Sequence, residues 1–108
     1  MIQQIDVRTL ADRLAKGDPL CLVDVRQQWE HDTAALPGSL LIPLDQLSRR
    51  AAEIQPASDA LVVVYCHHGI RSLSGAALLQ HLGFGNVASL AGGIDAWSLH
   101  VDPKVPRY

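Results

Sequence analysis

The stretch LVVVYCHHGIRSLSGAALL, Leu61 to Leu79, changes character twice. Leu61 to Tyr65 is a continuous run of apolar and β-branched residues, as expected of a strand buried on both faces of a parallel sheet. From about Arg71 to Leu82 Ala and Leu fall on most sides, which predicts a well-covered helix closed by Gly83. Between strand and helix stand a thiol, Cys66, and a polar loop, His67-His68-Gly69-Ile70-Arg71. A packed core needs no thiol at that point, but chemistry does.

The same alternation extends outward in both directions. QQI near the start reads as a short edge strand, and Asp6 caps a helix in which Val7, Leu10, Ala11 and Leu14 recur at helical spacing until Gly17. LCLVDV, Leu20 to Val25, reads as a second buried strand, and the polar RQQWEHD as a short helix or loop. LPGSLLIPL contains a Pro-Gly turn and a short strand around Leu40 to Ile42. LDQLSRRAAEI reads as one helix. NVASL is a last strand, Gly92-Gly93 a turn, IDAWSLHV a last helix, and the two prolines of DPKVPRY exclude a helical tail. Strands alternating with helices predict an α/β fold: one domain, residues 1–108, with a central five-stranded parallel sheet and helices on both faces.

Composition narrows the function classes. The chain has 108 residues, 48% of them hydrophobic, and a formal net charge of -2, so it builds a core and has no basic surface for nucleic acid. The opening MIQQIDVRTLADRLAKGD turns polar at once, unlike a secretory leader, and no apolar run approaches the ~20 residues of a membrane span. The expectation is a reduced, cytoplasmic monomer that neither binds nucleic acid nor enters a membrane. The 2 cysteines, Cys21 and Cys66, are too few for a disulfide framework. On parallel strands they stand about 10–16 Å apart, beyond the about 7 Å between Cα atoms that a disulfide tolerates. No second cluster near Cys66, His67 and His68 has finger-like spacing, so neither metal nor cofactor is implied.

In parallel α/β sheets ligands bind beyond the carboxyl ends of the strands, where Cys66 falls. The free N–H groups and the dipole of the following helix favour negative charge there. Gly69 allows a tight loop with its amides turned inward. A thiolate in such surroundings is a nucleophile and a covalent catalyst. The alternative, a small buried apolar cysteine, fits Cys21 inside its strand better than Cys66, because the loop CHHGIR is polar and argues against burial.

At this point the sequence resembles the single-domain rhodaneses, a family of sulfurtransferases, over nearly its whole length. LVDVRQQWE is similar to the family's Asp-x-Arg segment with a glutamate four residues beyond the arginine. LPGS with the following IP resembles its Pro-Gly turn, CHHGIRS its Cys-x-x-Gly-x-Arg-Ser loop, and GFGNVASLAGGIDAW its closing segment. The departures lie outside the loop: Ala34 and Ala35 replace the usual Gly-His before the turn, and Leu41 a common asparagine.

The resemblance implies that Cys66 takes sulfane sulfur from a donor such as thiosulfate, becomes a persulfide, and passes the sulfur to cyanide or a thiol, including a protein acceptor. Backbone amides of residues 67 to 71 would cradle the outer sulfur. Arg71 would either meet the incoming sulfonate or turn to a carboxylate, Asp24 being the candidate. His67 and His68 either bind anionic substrate or are merely solvated. Asp24, Arg26 and Ser72 are read as structural support, Trp97 and Tyr108 as anchors of core and tail; His31, His81 and His100 have no evident partner. Three other readings compete. One is a variant of the first, a persulfide carrier whose donor and acceptor are proteins. Cysteine phosphatases and arsenate reductases use a similar loop, but phosphatase loops place five residues between cysteine and arginine, where this chain has four, His67 to Ile70. Non-catalytic binding or sensing modules of this kind usually lack the cysteine.

Overall fold

A computed structural model describes residues 2–108. Its sheet is built from β1 (Gln3–Ile5), β2 (Leu20–Asp24), β3 (Leu40–Leu41), β4 (Leu61–Tyr65) and β5 (Val87–Leu90), in the order β1-β5-β4-β2-β3. Every neighbouring pair is parallel. The helices are α1 (Val7–Ala15), α2 (Gln28–Thr33), α3 (Leu47–Arg50), α4 (Arg71–His81) and α5 (Gly93–His100).

β4 lies at the centre and is buried along its whole length. Its side chains alternate between two cores, as the period of a strand requires. Leu61, Val63 and Tyr65 pack with Val7 and Leu10 of α1 and with Ile94 and Trp97 of α5. Val62 and Val64 pack on the other side with Leu47 of α3 and with Ala76 and Leu79 of α4. Gly75 lets α4 approach closely: a Cβ there would meet Val64 at 3.1 Å and Val25 at 3.3 Å. The expected parallel α/β sheet with helices on both faces is therefore present.

Local signals account for the ends of α1. Asp6 accepts the Thr9 amide at 2.8 Å as N-cap, and Gly17 follows the last turn with a φ of 74°. One expected element differs. The segment read as a single helix over 44–54 is a 3₁₀ turn (Leu44–Gln46), α3, and a second 3₁₀ turn (Ala51–Glu53). Burial of Leu47, Ala51 and Ile54 takes precedence over helical regularity in so short a segment. Arg50 bridges the turns, donating to Gln46 at 2.7 Å and to Glu53 at 2.7 Å.

Candidate active site

Cys66 follows directly on β4 and continues its alternation, pointing into the core that holds Val62 and Val64. It is 1% exposed, so the polar loop does not keep the thiol at the surface as the sequence suggested. The loop stands above the sulfur, and the strand's two-residue period carries Cys66 beneath it. An inert core cysteine has apolar neighbours only. The Cys66 Sγ instead accepts the backbone amides of Gly69 at 3.2 Å and Ser72 at 3.3 Å. Its S–H points at Ser72 Oγ, 3.5 Å away, which is hydrogen-bonded to Ser89 Oγ at 2.7 Å. The amides of His67, His68, Ile70 and Arg71 find no acceptor among the described residues.

Two glycines give the loop this shape. Gly69 has a φ of +96°, and a Cβ on it would lie 3.0 Å from the Gly92 nitrogen and 3.2 Å from the Leu90 oxygen. Gly69→Ala is expected to destabilise the protein by about 1–3 kcal/mol and to depress any reaction at Cys66. Denaturant unfolding beside an activity assay checks this, and an unchanged midpoint would refute the strain. Gly93 has no room for a Cβ, which would come within 2.5 Å of the Cys66 carbonyl oxygen. The sequence suggested a turn at this pair, but α5 already starts at Gly93. Its first amides, Ile94 N and Asp95 N, donate to the carbonyls of Cys66 at 2.9 Å and His67 at 3.0 Å. The loop's carbonyls are thus drawn toward α5, leaving its N–H groups for the sulfur.

Arg71 turns to a carboxylate, but the partner is Glu30 of α2 and not Asp24. Its two terminal nitrogens donate to the two Glu30 oxygens at 2.7 and 2.9 Å. Asp24 is unavailable because it is fully buried and already engaged. It accepts Arg26 Nε at 2.8 Å, Arg26 Nη2 at 2.7 Å and His31 Nδ1 at 2.8 Å. His31 therefore has a partner that its sequence position did not reveal. Arg26, also fully buried, donates in addition to the Ala34 carbonyl at 2.6 Å and to the Tyr108 hydroxyl at 2.7 Å. That carbonyl serves whatever side chain stands at position 34.

Tyr108 ties these groups together. Its hydroxyl donates to Glu30 Oε2 at 2.7 Å, and its ring stacks on His67 with centroids 4.0 Å apart. The other face of the loop's histidine pair is formed by His68, stacked on His67 at 3.9 Å. Ile70 is 76% exposed on the rim. Burial, and then the neighbouring His68, hold His67 below its usual range. The Arg71 guanidinium pulls the Glu30 carboxyl from its ordinary 4.5 down to about 2, against the opposing effect of burial.

A carboxyl lowered on folding adds stability above its unfolded value, and that stability is lost as the pH falls through the folded one. The protein is therefore expected to lose stability between about pH 4.5 and about pH 2. Glu30→Gln should flatten that part of the curve, as thermal melts across the range would show. An equally steep loss in the variant would place the acid sensitivity elsewhere.

Of the sequence candidates, Cys66, Gly69, Arg71 and Ser72 meet at the sulfur or the loop, with His67, His68 and Ile70 on its outer side. Asp24 and Arg26 form a separate buried pair behind it. The glutamate lay in plain view in RQQWE, but only the fold selects it as the partner of Arg71. Nothing in the tail's sequence signalled that Tyr108 reaches the loop.

Residues 6–100 match the rhodanese-like domain family. The chain is 38% identical over 105 residues to a sulfurtransferase of Allochromatium vinosum, covering 97% of this chain and 96% of that protein. It is 34% identical to the probable adenylyltransferase/sulfurtransferase MoeZ of Mycobacterium tuberculosis, covering 96% of this chain but only 26% of that longer protein. A crystal structure of a thiosulfate sulfurtransferase from Pseudomonas aeruginosa superposes with a TM-score of 0.82 at 28% identity, over 91% of this chain and 19% of that one. A strand-end cysteine in an amide-lined loop, the parallel sheet behind it and a family match over most of the sequence agree: the chain belongs to the rhodanese-like domain family.

Proposed function

We propose that the protein is a rhodanese-type sulfurtransferase or sulfur carrier that moves sulfane sulfur through a persulfide on Cys66. The observation that carries this reading is the pair of amides, Gly69 N and Ser72 N, directed at Sγ from a helix N-terminus. The named activities of the similar proteins point the same way.

In the first half-reaction the Cys66 thiolate attacks the outer sulfur of thiosulfate. A new S–S bond forms to Sγ, the bond within thiosulfate breaks, and sulfite leaves with the electron pair. In the second, cyanide or a thiolate attacks the outer sulfur of the persulfide. Thiocyanate or a hydropersulfide leaves, and the Cys66 thiolate returns. The free amides of the loop are fixed before charge arrives, as in an oxyanion hole. Arg71, held by Glu30, positions the start of α4, while His67, His68 and Ile70 border the approach to the sulfur. The exchange balances without a metal or cofactor.

No helix among the described residues is long and apolar enough to cross a membrane. Both cysteines are free, which suits work in a reducing cytoplasm, as a monomer acting on a small donor and on a thiol, cyanide or protein acceptor.

Intact mass after incubation with thiosulfate tests the reading. A gain of one sulfur atom, removed by a reductant, is expected. A panel of persulfide donors that also leaves the mass unchanged would overturn it.

A further inference from the structure

Asp95 was not connected with the two loop histidines by sequence, since it lies on α5, far along the chain. The fold brings it to them. One nitrogen each of His67 and His68 and a carboxylate oxygen of Asp95 lie within 4.8 Å of one another. His68 Nε2 is 3.8 Å from Asp95 Oδ2. We propose that His67, His68 and Asp95 form a binding site for a borderline divalent cation of the Zn²⁺ class at the edge of the Cys66 loop.

The backbone fixes where these side chains start. The Asp95 amide donates to the His67 carbonyl at 3.0 Å, and the adjacent Ile94 amide to the Cys66 carbonyl at 2.9 Å. α5 and the loop therefore meet as one unit, with all three donors on the same side of it. The donor set is two imidazoles and one carboxylate, which suits Zn²⁺ and its neighbours in the transition series better than Mg²⁺ or Ca²⁺. Three protein ligands leave a fourth tetrahedral position open.

The geometry requires a limited adjustment. Metal–ligand bonds of about 2.0–2.2 Å place tetrahedral donor atoms roughly 3.3–3.6 Å apart, so the group must contract from its present spread. The two rings are stacked and their in-plane lone pairs do not yet converge. His68 makes the movement, because its side chain is 61% exposed. His67 stays where the Tyr108 ring holds it. Asp95 exchanges its partner Arg107, bound at 2.9 Å and itself 58% exposed, for the ion. The Asp95 side is half-buried but the guanidinium stands in solvent, and a pair so screened contributes little and can be exchanged.

The site is read by binding alone and does not depend on the sulfur chemistry. Titration calorimetry with ZnCl₂ is done on the full chain carrying Cys21→Ser and Cys66→Ser, so that no thiolate captures the metal. One Zn²⁺ per chain is expected. His68→Ala, at an exposed position, and Asp95→Asn, isosteric at a half-buried one, should each weaken it at least tenfold in the same background, with unchanged circular dichroism. Mg²⁺ at the same concentration should not compete. Absence of stoichiometric binding in the thiol-free protein, or affinity unaltered by both substitutions, would overturn the site. Equal competition by Mg²⁺ would overturn the assignment of its class.

Discussion

Cys66→Ser is expected to lower sulfur transfer from thiosulfate to cyanide by at least about 10³-fold, the scale on which loss of a covalent nucleophile is felt. The exchange of sulfur for oxygen is the smallest available. The Gly69 and Ser72 amides, now 3.2 and 3.3 Å from Sγ, retain an acceptor, and the Ser72–Ser89 hydrogen bond is untouched. The burial of position 66 is likewise preserved. A hydroxyl is not ionised at neutral pH and forms no persulfide. The variant should therefore melt close to the wild type while gaining no sulfur in the mass spectrum. Turnover surviving at a tenth of the wild-type rate would sink the assignment of Cys66. A collapsed melting transition would show instead that the thiol is needed for folding, and Cys66→Ala then decides between the two roles.

Arg26→Met carries the largest expected loss of stability, about 3–5 kcal/mol, the range measured when one member of a buried ion pair is removed. Arg26 and Asp24 are both fully buried. Without the guanidinium the Asp24 carboxylate keeps only the Arg26 backbone amide and His31, and the Ala34 carbonyl loses its partner. Tyr108 loses a donor as well, so the tail loosens from the loop. For a chain of this size the midpoint temperature should fall by well over ~10 °C. The double variant Asp24→Asn/Arg26→Met separates charge from packing. It should recover part of the loss, since no uncompensated charge remains. A double variant as unstable as the single one would mean that packing of Arg26 against the Tyr65 and Tyr108 rings, 5.4 and 5.6 Å from its guanidinium carbon, dominates.

Periodic features of the sequence were the legible ones. LVVVY is a strand at the centre of the sheet because only a strand buried on both faces tolerates five successive apolar side chains. The loop followed from the thiol, the glycine and the helix start, and Gly69, read as allowing a tight loop, has a positive φ. Features that depend on which distant residue arrives were not legible. Asp24 ends β2 and Glu30 follows it on α2, and local sequence does not tell which one meets Arg71. The choice follows from Arg26, which neutralises Asp24 from two residues away and leaves Glu30 to face the loop. The burial of Cys66 was misjudged for a related reason. The loop's polarity describes its outer side, whereas the strand's alternation decides where the sulfur points. The helix read over 44–54 broke because its apolar residues must follow the sheet beneath them, and a short helix has little cooperativity with which to resist.

The register of β2 against β4 has a consequence for the redox life of the molecule. Cys21 is paired with Val62, four positions before Cys66 along the neighbouring strand, or about 13 Å at the rise of a strand. The chain's second thiol thus has no access to the first, and there is no internal resolving cysteine. A sulfur atom placed on Cys66 cannot be discharged by disulfide closure within the same molecule, as it can where two cysteines face each other. Under the proposed function, the lifetime of a loaded state would be set from outside, by the next nucleophile slender enough to reach a sulfur set beneath its own loop.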